Sequence, residues 1–349
     1  MFGRAWVWYQ RLQRLVTNRW VQLLVGAAAS GILAFLATRS LSWQEVVDSF
    51  LDVPVLASLL SLVPLTASTV LRAARWRILL TADKVSMWHV FLTQNTGIGL
   101  NNLLPVRMVS EPVQLAMITR QYRVPFPSAF TTLIAGNVMD VFATAILMGM
   151  GVLLVPQLRG ASIQLVGAFV LFIASLLVLI IAARGLSSLP VGRNTRFMQQ
   201  MAVAANLLKE SPGKLWASFL ASILHWMLLG FTVWIVARGL GMELDVLTLT
   251  TIMVATTFFT SAVPSLPGAA GTYEFAMTYT LHSLLGVDRA VAVTFAVTTH
   301  VLVFLPPVAI ALVVMSRIGS AVLFRGARKA SDRLDGLSVE PEEEALRKR

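Results

Sequence analysis

Apolar residues run through this chain in long blocks separated by short polar stretches. Residues 21–38, 53–69, 130–155, 163–183, 215–237 and 291–315 are each about long enough to cross a hydrocarbon core of about 30 Å at about 1.5 Å per residue. The pattern predicts an all-α integral membrane protein with about six transmembrane helices. Two further apolar stretches are interrupted. Residues 88–105 carry Gly97, Gly99, Asn101 and Asn102, and residues 246–285 carry Ser261, Pro264 and Pro267. Breakers at those positions do not suit an unbroken span.

Composition supports the membrane reading. Of 349 residues, 56% are hydrophobic and 13% charged, and the mean hydropathy is +0.74, beyond the range of soluble globular chains. A formal charge of +11 would suit nucleic acid if it were gathered in one domain, but it is not. Of the 28 Lys and Arg residues, 24 fall within 1–19, 72–125, 184–214 and 317–349, and the alternate loops hold only Arg39, Arg159, Arg238 and Arg289. The positive-inside rule puts the first set in the cytoplasm, so both termini are expected there and nucleic acid is not expected as a partner. The absence of cysteine excludes disulfides, thiol catalysis and Cys-ligated zinc. A cleaved secretory signal is not expected, because the first apolar block starts only after Trp20.

With that orientation, 88–105 must enter and leave on the cytoplasmic side, since Lys84 and Arg107 flank it. Residues 246–285 must do so on the outer side, between Glu243 and Asp245 before and Asp288 and Arg289 after. Both are therefore read as re-entrant hairpins, oppositely oriented. Val124, Ala129 and Asn137 recur at the same spacing as Val287, Ala292 and His300. A hairpin followed by a polar-bearing span thus occurs twice, the pattern of an inverted repeat. Residues 1–19 mix Arg4, Arg11, Arg14 and Arg19 with Trp6, Trp8 and Tyr9, as in an interfacial amphipathic segment. The polytopic domain is expected over 20–318. It contains a cytoplasmic loop, 184–214, with a short amphipathic helix near 195–209, and is followed by a disordered cytoplasmic tail, 319–349.

Irregular backbone at membrane depth is tolerated only where it is buried in protein or lines a wet cavity. Broken helix ends also offer free N–H groups and a positive dipole end to an anion such as phosphate. The first break gathers Asn101, Asn102, Arg107 and Glu111. Arg107 can clamp a phosphate with the asparagines assisting, or pair with Glu111 and close a helix start ahead of Pro112. At the second break Pro267, Gly268 and Gly271 permit a tight turn. Glu274, one turn into an apolar helix, is functional by default or caps backbone amides of the broken helix. Asp140 lies ten residues inside its block and must pair or protonate, and Asn137 shares its helical face. His225 and His300 are lone intramembrane histidines, read as packing residues before proton relays. Arg72, Arg75 and Arg77 around Trp76 read as a snorkelling anchor for anionic headgroups. No nucleotide, metal or catalytic spacing is present, so neither cofactor nor enzyme activity is expected.

Taken together, Arg72-Ala-Ala-Arg75-Trp76-Arg77, Asn102-Leu-Leu-Pro105 with Arg107 and Glu111, Asp140, and Pro264-x-x-Pro267-Gly268-x-x-Gly271-x-x-Glu274 resemble the transmembrane region of lysylphosphatidylglycerol synthetases, a family of flippase-like membrane proteins. The resemblance covers about residues 20–318, and the Pro-Gly-Gly-Glu block is its most specific element. It implies an inner-membrane protein with opposed re-entrant hairpins that moves a lipid or lipid-linked headgroup between leaflets. Gln114, Asn137 and His300 stand where many members of the family carry arginine, and Val109-Ser110 replaces a glycine before the acid. Fewer positive charges imply a less acidic ligand. The family's soluble aminoacyl-transferase domain is not expected after Arg317.

The leading expectation is a lipid translocase. A membrane lipid with a phosphate-bearing headgroup would be held by Asn101, Asn102, Arg107, Glu111, Asn137, Asp140, Pro267, Gly268, Gly271, Glu274 and His300. Two alternatives stand beside it: a non-catalytic membrane partner of an envelope-lipid enzyme, and a transferase acting on a polyprenyl phosphate. A second copy of the chain is a further candidate partner.

Overall fold

The fold comes from a computed structural model that describes residues 19–38, 55–80, 85–104, 109–156, 210–263 and 265–318, with a few isolated positions besides. Among these residues every regular element is helical. In chain order they are α1 (Arg19–Thr38), α2 (Val55–Leu79), α3 (Met87–Leu103), α4 (Ser110–Arg120), α5 (Phe126–Leu154), α6 (Pro212–Gly239), α7 (Val246–Ala262), α8 (Thr272–Tyr279) and α9 (Arg289–Ile318). A 3-10 turn, Pro267–Ala269, lies between α7 and α8, and a π turn, Thr280–Leu284, extends α8.

Four helices, α2, α5, α6 and α9, are long and apolar enough to cross a membrane. The first expected span falls on the 20-residue helix α1, of which residues 27–38 form an apolar stretch. The expected span over 163–183, the segment 1–18, most of the loop 184–214 and the tail 319–349 lie outside the described residues. Leu56, Leu59, Leu60 and Val63 of α2, Leu220 and Leu224 of α6, and Leu312 and Val313 of α9 are exposed. In water such faces would be unfavourable, whereas a bilayer covers them at no cost.

The interior is mainly apolar, with small residues where α7 crosses its neighbours, as is common in membrane packing. A Cβ on Gly230 of α6 would fall 1.8 Å from the Thr250 hydroxyl, and one on Gly151 of α5 would fall 2.0 Å from the Thr251 hydroxyl. Both glycines therefore let α7 approach its neighbours closely. Helices α2 and α6 form the most extensive pairing and run antiparallel, with Ser68 and Arg72 opposite His225 and Arg75 opposite Ser222.

The two broken segments share one construction. α3 and α7 are each 17 residues long. Each is N-capped by a side chain that accepts the N–H three residues on, Ser86 from His89 and Asp245 from Thr248. Each ends at an extended residue, Leu104 and Val263. A return limb follows, α4 in one case and α8 with its π turn in the other. Both limbs close with the same turn: Val124 N–H donates to Ile118 O at 3.2 Å, and Val287 N–H donates to Leu281 O at 3.0 Å. Arg123 and Gly286, the residues before them, both have positive φ, 60° and 71°. Long helices α5 and α9 come next. The packing obeys the same exchange, since α3 lies on α9 while α7 lies on α5. In this register Glu111 matches Glu274 and Asn137 matches His300.

One boundary differs from expectation. The first hairpin was expected to enter and leave within 88–105, but α3 occupies that stretch as a single limb and the return is Ser110–Arg120. Leu100, Val113 and Met117 pack with Ala311 and Val314 of α9, and that shared core holds α4 as a helix despite its polar residues.

Candidate functional site

The tip of the second hairpin is shaped by its prolines and glycines. After the extended Val263, the 3-10 turn begins at Pro267, and Gly268, Ala269 and Gly271 take φ of 67°, 65° and 82°. This left-handed region costs about 1–2 kcal/mol at a residue with a Cβ, so Ala269 is held there by its surroundings. Ser30 of α1 accepts the Leu266 N–H at 2.8 Å. Its carbonyl lies so close to Gly271 that a Cβ there would sit 2.4 Å away. On the other side Gly268 faces the carbonyl of Asn102 in the last turn of α3, where an added Cβ would lie 3.5 Å from it. The broken ends of the two hairpins therefore meet.

Glu274 and His300 close this tip. One Glu274 oxygen accepts the Gly271 N–H at 2.7 Å, and the other pairs with Nδ1 of His300. Nε2 of His300 lies 2.7 Å from the Gly268 carbonyl. A carbonyl only accepts, so Nε2 carries a hydrogen. A proton must also sit between Nδ1 and the carboxylate, giving either imidazolium with carboxylate or imidazole with carboxylic acid. Both forms leave the pair without net charge, which is what a low-dielectric position favours. The ring packs against Tyr273 and Phe304, at centroid distances of 4.6 and 4.3 Å. Tyr273 is fixed in turn by contacts of its hydroxyl with Met253 and Thr299.

A second polar cluster joins α2, α5 and α6. Arg75 pairs with Asp140 and donates to the Ser222 hydroxyl at 3.2 Å. The Trp226 indole N–H also donates to Asp140, at 3.2 Å. Arg72 directs Nε and Nη2 at Nε2 of His225, at 3.3 and 3.2 Å. That nitrogen therefore accepts, and Nδ1 faces the Ser68 hydroxyl at 2.7 Å. The expected snorkelling anchor is thus corrected. α2 continues seven residues past Arg72, Arg75 is buried, and Arg77 donates to the Leu80 carbonyl at 3.1 Å. The cause is the opposite charge on α5, which holds the arginine inside rather than at the surface. His225 is a hydrogen-bonded packing residue, as its type suggested.

The sequence-predicted site residues divide accordingly. Asn102, Pro267, Gly268, Gly271, Glu274 and His300 come together at the tip. Asn101, also in the last turn of α3, is half-buried with its side-chain oxygen unpartnered. Asp140 belongs to the second cluster. Glu111, in the first turn of α4, and Asn137 on α5 are both exposed. Arg107 lies outside the described residues, in the chain between the two limbs of the first hairpin. Gln114 is buried and donates to the Ser110 hydroxyl at 2.8 Å. Ser30, Ser222 and Trp226 were not anticipated. For Trp226 the signal was available, because an intramembrane Asp needs donors and an indole within an apolar block is one.

Long apolar helices, two broken hairpins and ionisable groups held between the spans define a polytopic membrane protein. Residues 20–311 match the lysylphosphatidylglycerol synthase TM region family. The chain belongs to that family, membrane proteins of lipid metabolism or translocation. No curated protein matches it.

Proposed function

We propose that the protein is a lipid translocase of a cell inner membrane, moving a lipid or lipid-linked headgroup between leaflets, with both termini in the cytoplasm. The observation that carries this reading is the contact between the two broken hairpins at Asn102 and Gly268, with the proton-sharing pair Glu274 and His300 beside it. Read as re-entrant hairpins entering from opposite faces, they meet near the middle of the bilayer, where inverted-repeat transporters hold their cargo. The halves differ in state: Glu274 and His300 are engaged, while Glu111 and Asn137, their counterparts, are exposed. Alternating access needs such an asymmetry, reversed on each cycle. Release of the shared proton would set the Nδ1 lone pair against the Glu274 carboxylate, break that contact and so loosen the tie between α9 and the tip.

The test is reconstitution in liposomes with a fluorescent phospholipid and a leaflet-selective quencher. Glu274→Gln keeps an acceptor for Gly271 and a donor for neutral His300 but removes the charge. The parent is expected to speed lipid movement over empty liposomes, and Glu274→Gln to slow it by at least about tenfold, a loss typical of a general acid–base group. A parent no faster than empty liposomes, or a variant as fast as the parent, ends the translocase reading.

A further inference from the structure

Two guanidinium groups and one carboxylate meet at the centre of the helix bundle, and their charges do not cancel. Asp140 is the middle residue of α5, and His225 and Trp226 are the middle residues of α6. At 1.5 Å per residue Asp140 is about 21 Å from either end of its helix. Arg75 takes up the charge of Asp140. Among the described residues Arg72 has a neutral imidazole as its hydrogen-bond partner, and the charges that reach it are those of Asp140 and Arg75. The cluster therefore holds one net positive charge at a depth where an unbalanced charge is costly and by default functional. Arg72 directs Nε and Nη2 at a single acceptor atom, and its other donors can meet the non-bridging oxygens of a tetrahedral oxyanion.

The cluster is also open. Asp140 keeps 27% of its side chain exposed although Arg75 keeps 5%. Asn137 is exposed as well, yet at 3.6 residues per turn it falls on the same side of α5 as Leu133, Thr144 and Met148, all buried. The lipid-facing Phe142, Ile146, Met150 and Leu153 point to the other side. Asn137 thus lies at the edge of the packed face, one turn after the exposed Ile134, and can be reached from outside the bundle. The cluster is no part of the repeated scaffold either, because Asp140 corresponds to Val303 in the second half.

We infer that Arg72, with Arg75 behind it and Asn137 at its mouth, binds the phosphodiester anion of a lipid headgroup between α2, α5 and α6. One negative charge on the phosphodiester balances the one positive charge of the cluster, and Asp140 keeps the site from holding a dianion more tightly. The inference rests on the lipid-carrying reading for its purpose, but not for its test.

Purified full-length protein in detergent is titrated with short-chain phosphatidylglycerol, with phosphatidylcholine of equal chain length, and with inorganic phosphate. Tryptophan emission is followed, since Trp226 donates to Asp140. Phosphatidylglycerol is expected to bind at least about tenfold more tightly than phosphatidylcholine. Arg72→Gln is expected to weaken it about tenfold and Arg72→Lys to keep most of the affinity, as one charge-assisted contact is lost or retained. Asn137→Asp adds a charge at the same depth, so its binding is read only on protein whose thermal melting shows that it is folded. Its added charge is expected to lower phosphatidylglycerol affinity about as much. Unchanged affinity in Asn137→Asp, or in a folded Arg72→Gln, overturns the assignment, and so does binding of inorganic phosphate without binding of the lipid. Protein that binds phosphatidylglycerol through Arg72 but moves no lipid keeps this site and removes the proposed function. Lipid movement with binding indifferent to Arg72 does the reverse.

Discussion

Asn137 and His300 hold the same register position in the two halves of the protein, yet His300 is engaged and Asn137 is exposed. His300 spans Glu274 and the Gly268 carbonyl, so the second hairpin tip is tied to the helix that follows it. The matching pair in the first half is Glu111 and Asn137, which has one ionisable member instead of two. Proton sharing is consequently confined to the second tip.

Replacing His300 by alanine leaves a carbonyl and a carboxyl group without their partner in a half-buried position. Each such loss costs about 1–3 kcal/mol, and thermal melting in detergent should fall by several degrees. His300→Arg brings five donors to the same two acceptors and should melt close to the parent. A His300→Ala protein that melts with the parent would show that the tip is held by packing alone.

Arg75 and Asp140 should behave as a coupled pair. Arg75→Met strands a partly exposed carboxylate deep in the bundle, and the expected loss is about 2–4 kcal/mol, below the range for a fully buried pair because Asp140 retains some solvent. Adding Asp140→Leu to Arg75→Met removes the stranded charge and should recover part of that loss. Melting of the two single variants and the double variant closes the cycle. Strict additivity would mean that the contact contributes nothing.

Much of this architecture was legible because membrane burial writes long blocks and breakers into a sequence. Gly268, Gly271 and Pro267 announced a broken helix, and Glu274 an ionisable group beside it. The return limb α4 was missed because Glu111, Gln114 and Thr119 give it the look of a loop, while its apolar contacts with α9 come from the distant end of the chain. Arg75 was assigned to the membrane surface by a rule that counts charges along the chain, and its partner Asp140 lies on another helix. The Gly268 carbonyl was invisible for a simpler reason: a backbone acceptor has no residue type.

Helices α3 and α9 touch backbone to backbone at Gly99. A Cβ there would lie 2.1 Å from the carbonyl oxygen of Pro307, and backbone cannot swing aside as a side chain can. Pro306 and Pro307 sit inside α9, and proline interrupts the regular hydrogen-bond ladder at that point. Gly99→Ala should therefore force the two helices apart and cost about 1–3 kcal/mol. Gly149→Ala, whose Cβ meets nothing within 4 Å, is the control and should be close to neutral. Equal melting temperatures for the two variants would contradict the close approach.

Asp245 gives the second hairpin a pH-dependent start. Its carboxylate accepts the Thr248 N–H at 2.8 Å and the Thr248 hydroxyl at 2.5 Å. Partial burial pushes its pKa up, but the bonds from Thr248 outweigh it and hold the group below the usual carboxylate value. A depressed pKa in the folded state means that the carboxylate form is the one the fold prefers. The stabilisation is therefore complete above the ordinary carboxylate pKa and is lost as pH falls through the lower, folded value. Asp245→Ala should cost about 1 kcal/mol at neutral pH, the usual loss of an N-cap. The gap in melting temperature between parent and variant should be constant from neutral pH down to about pH 5 and narrow below about pH 4. A gap that widens on acidification would mean that the cap is stronger when protonated, against the direction set by Thr248.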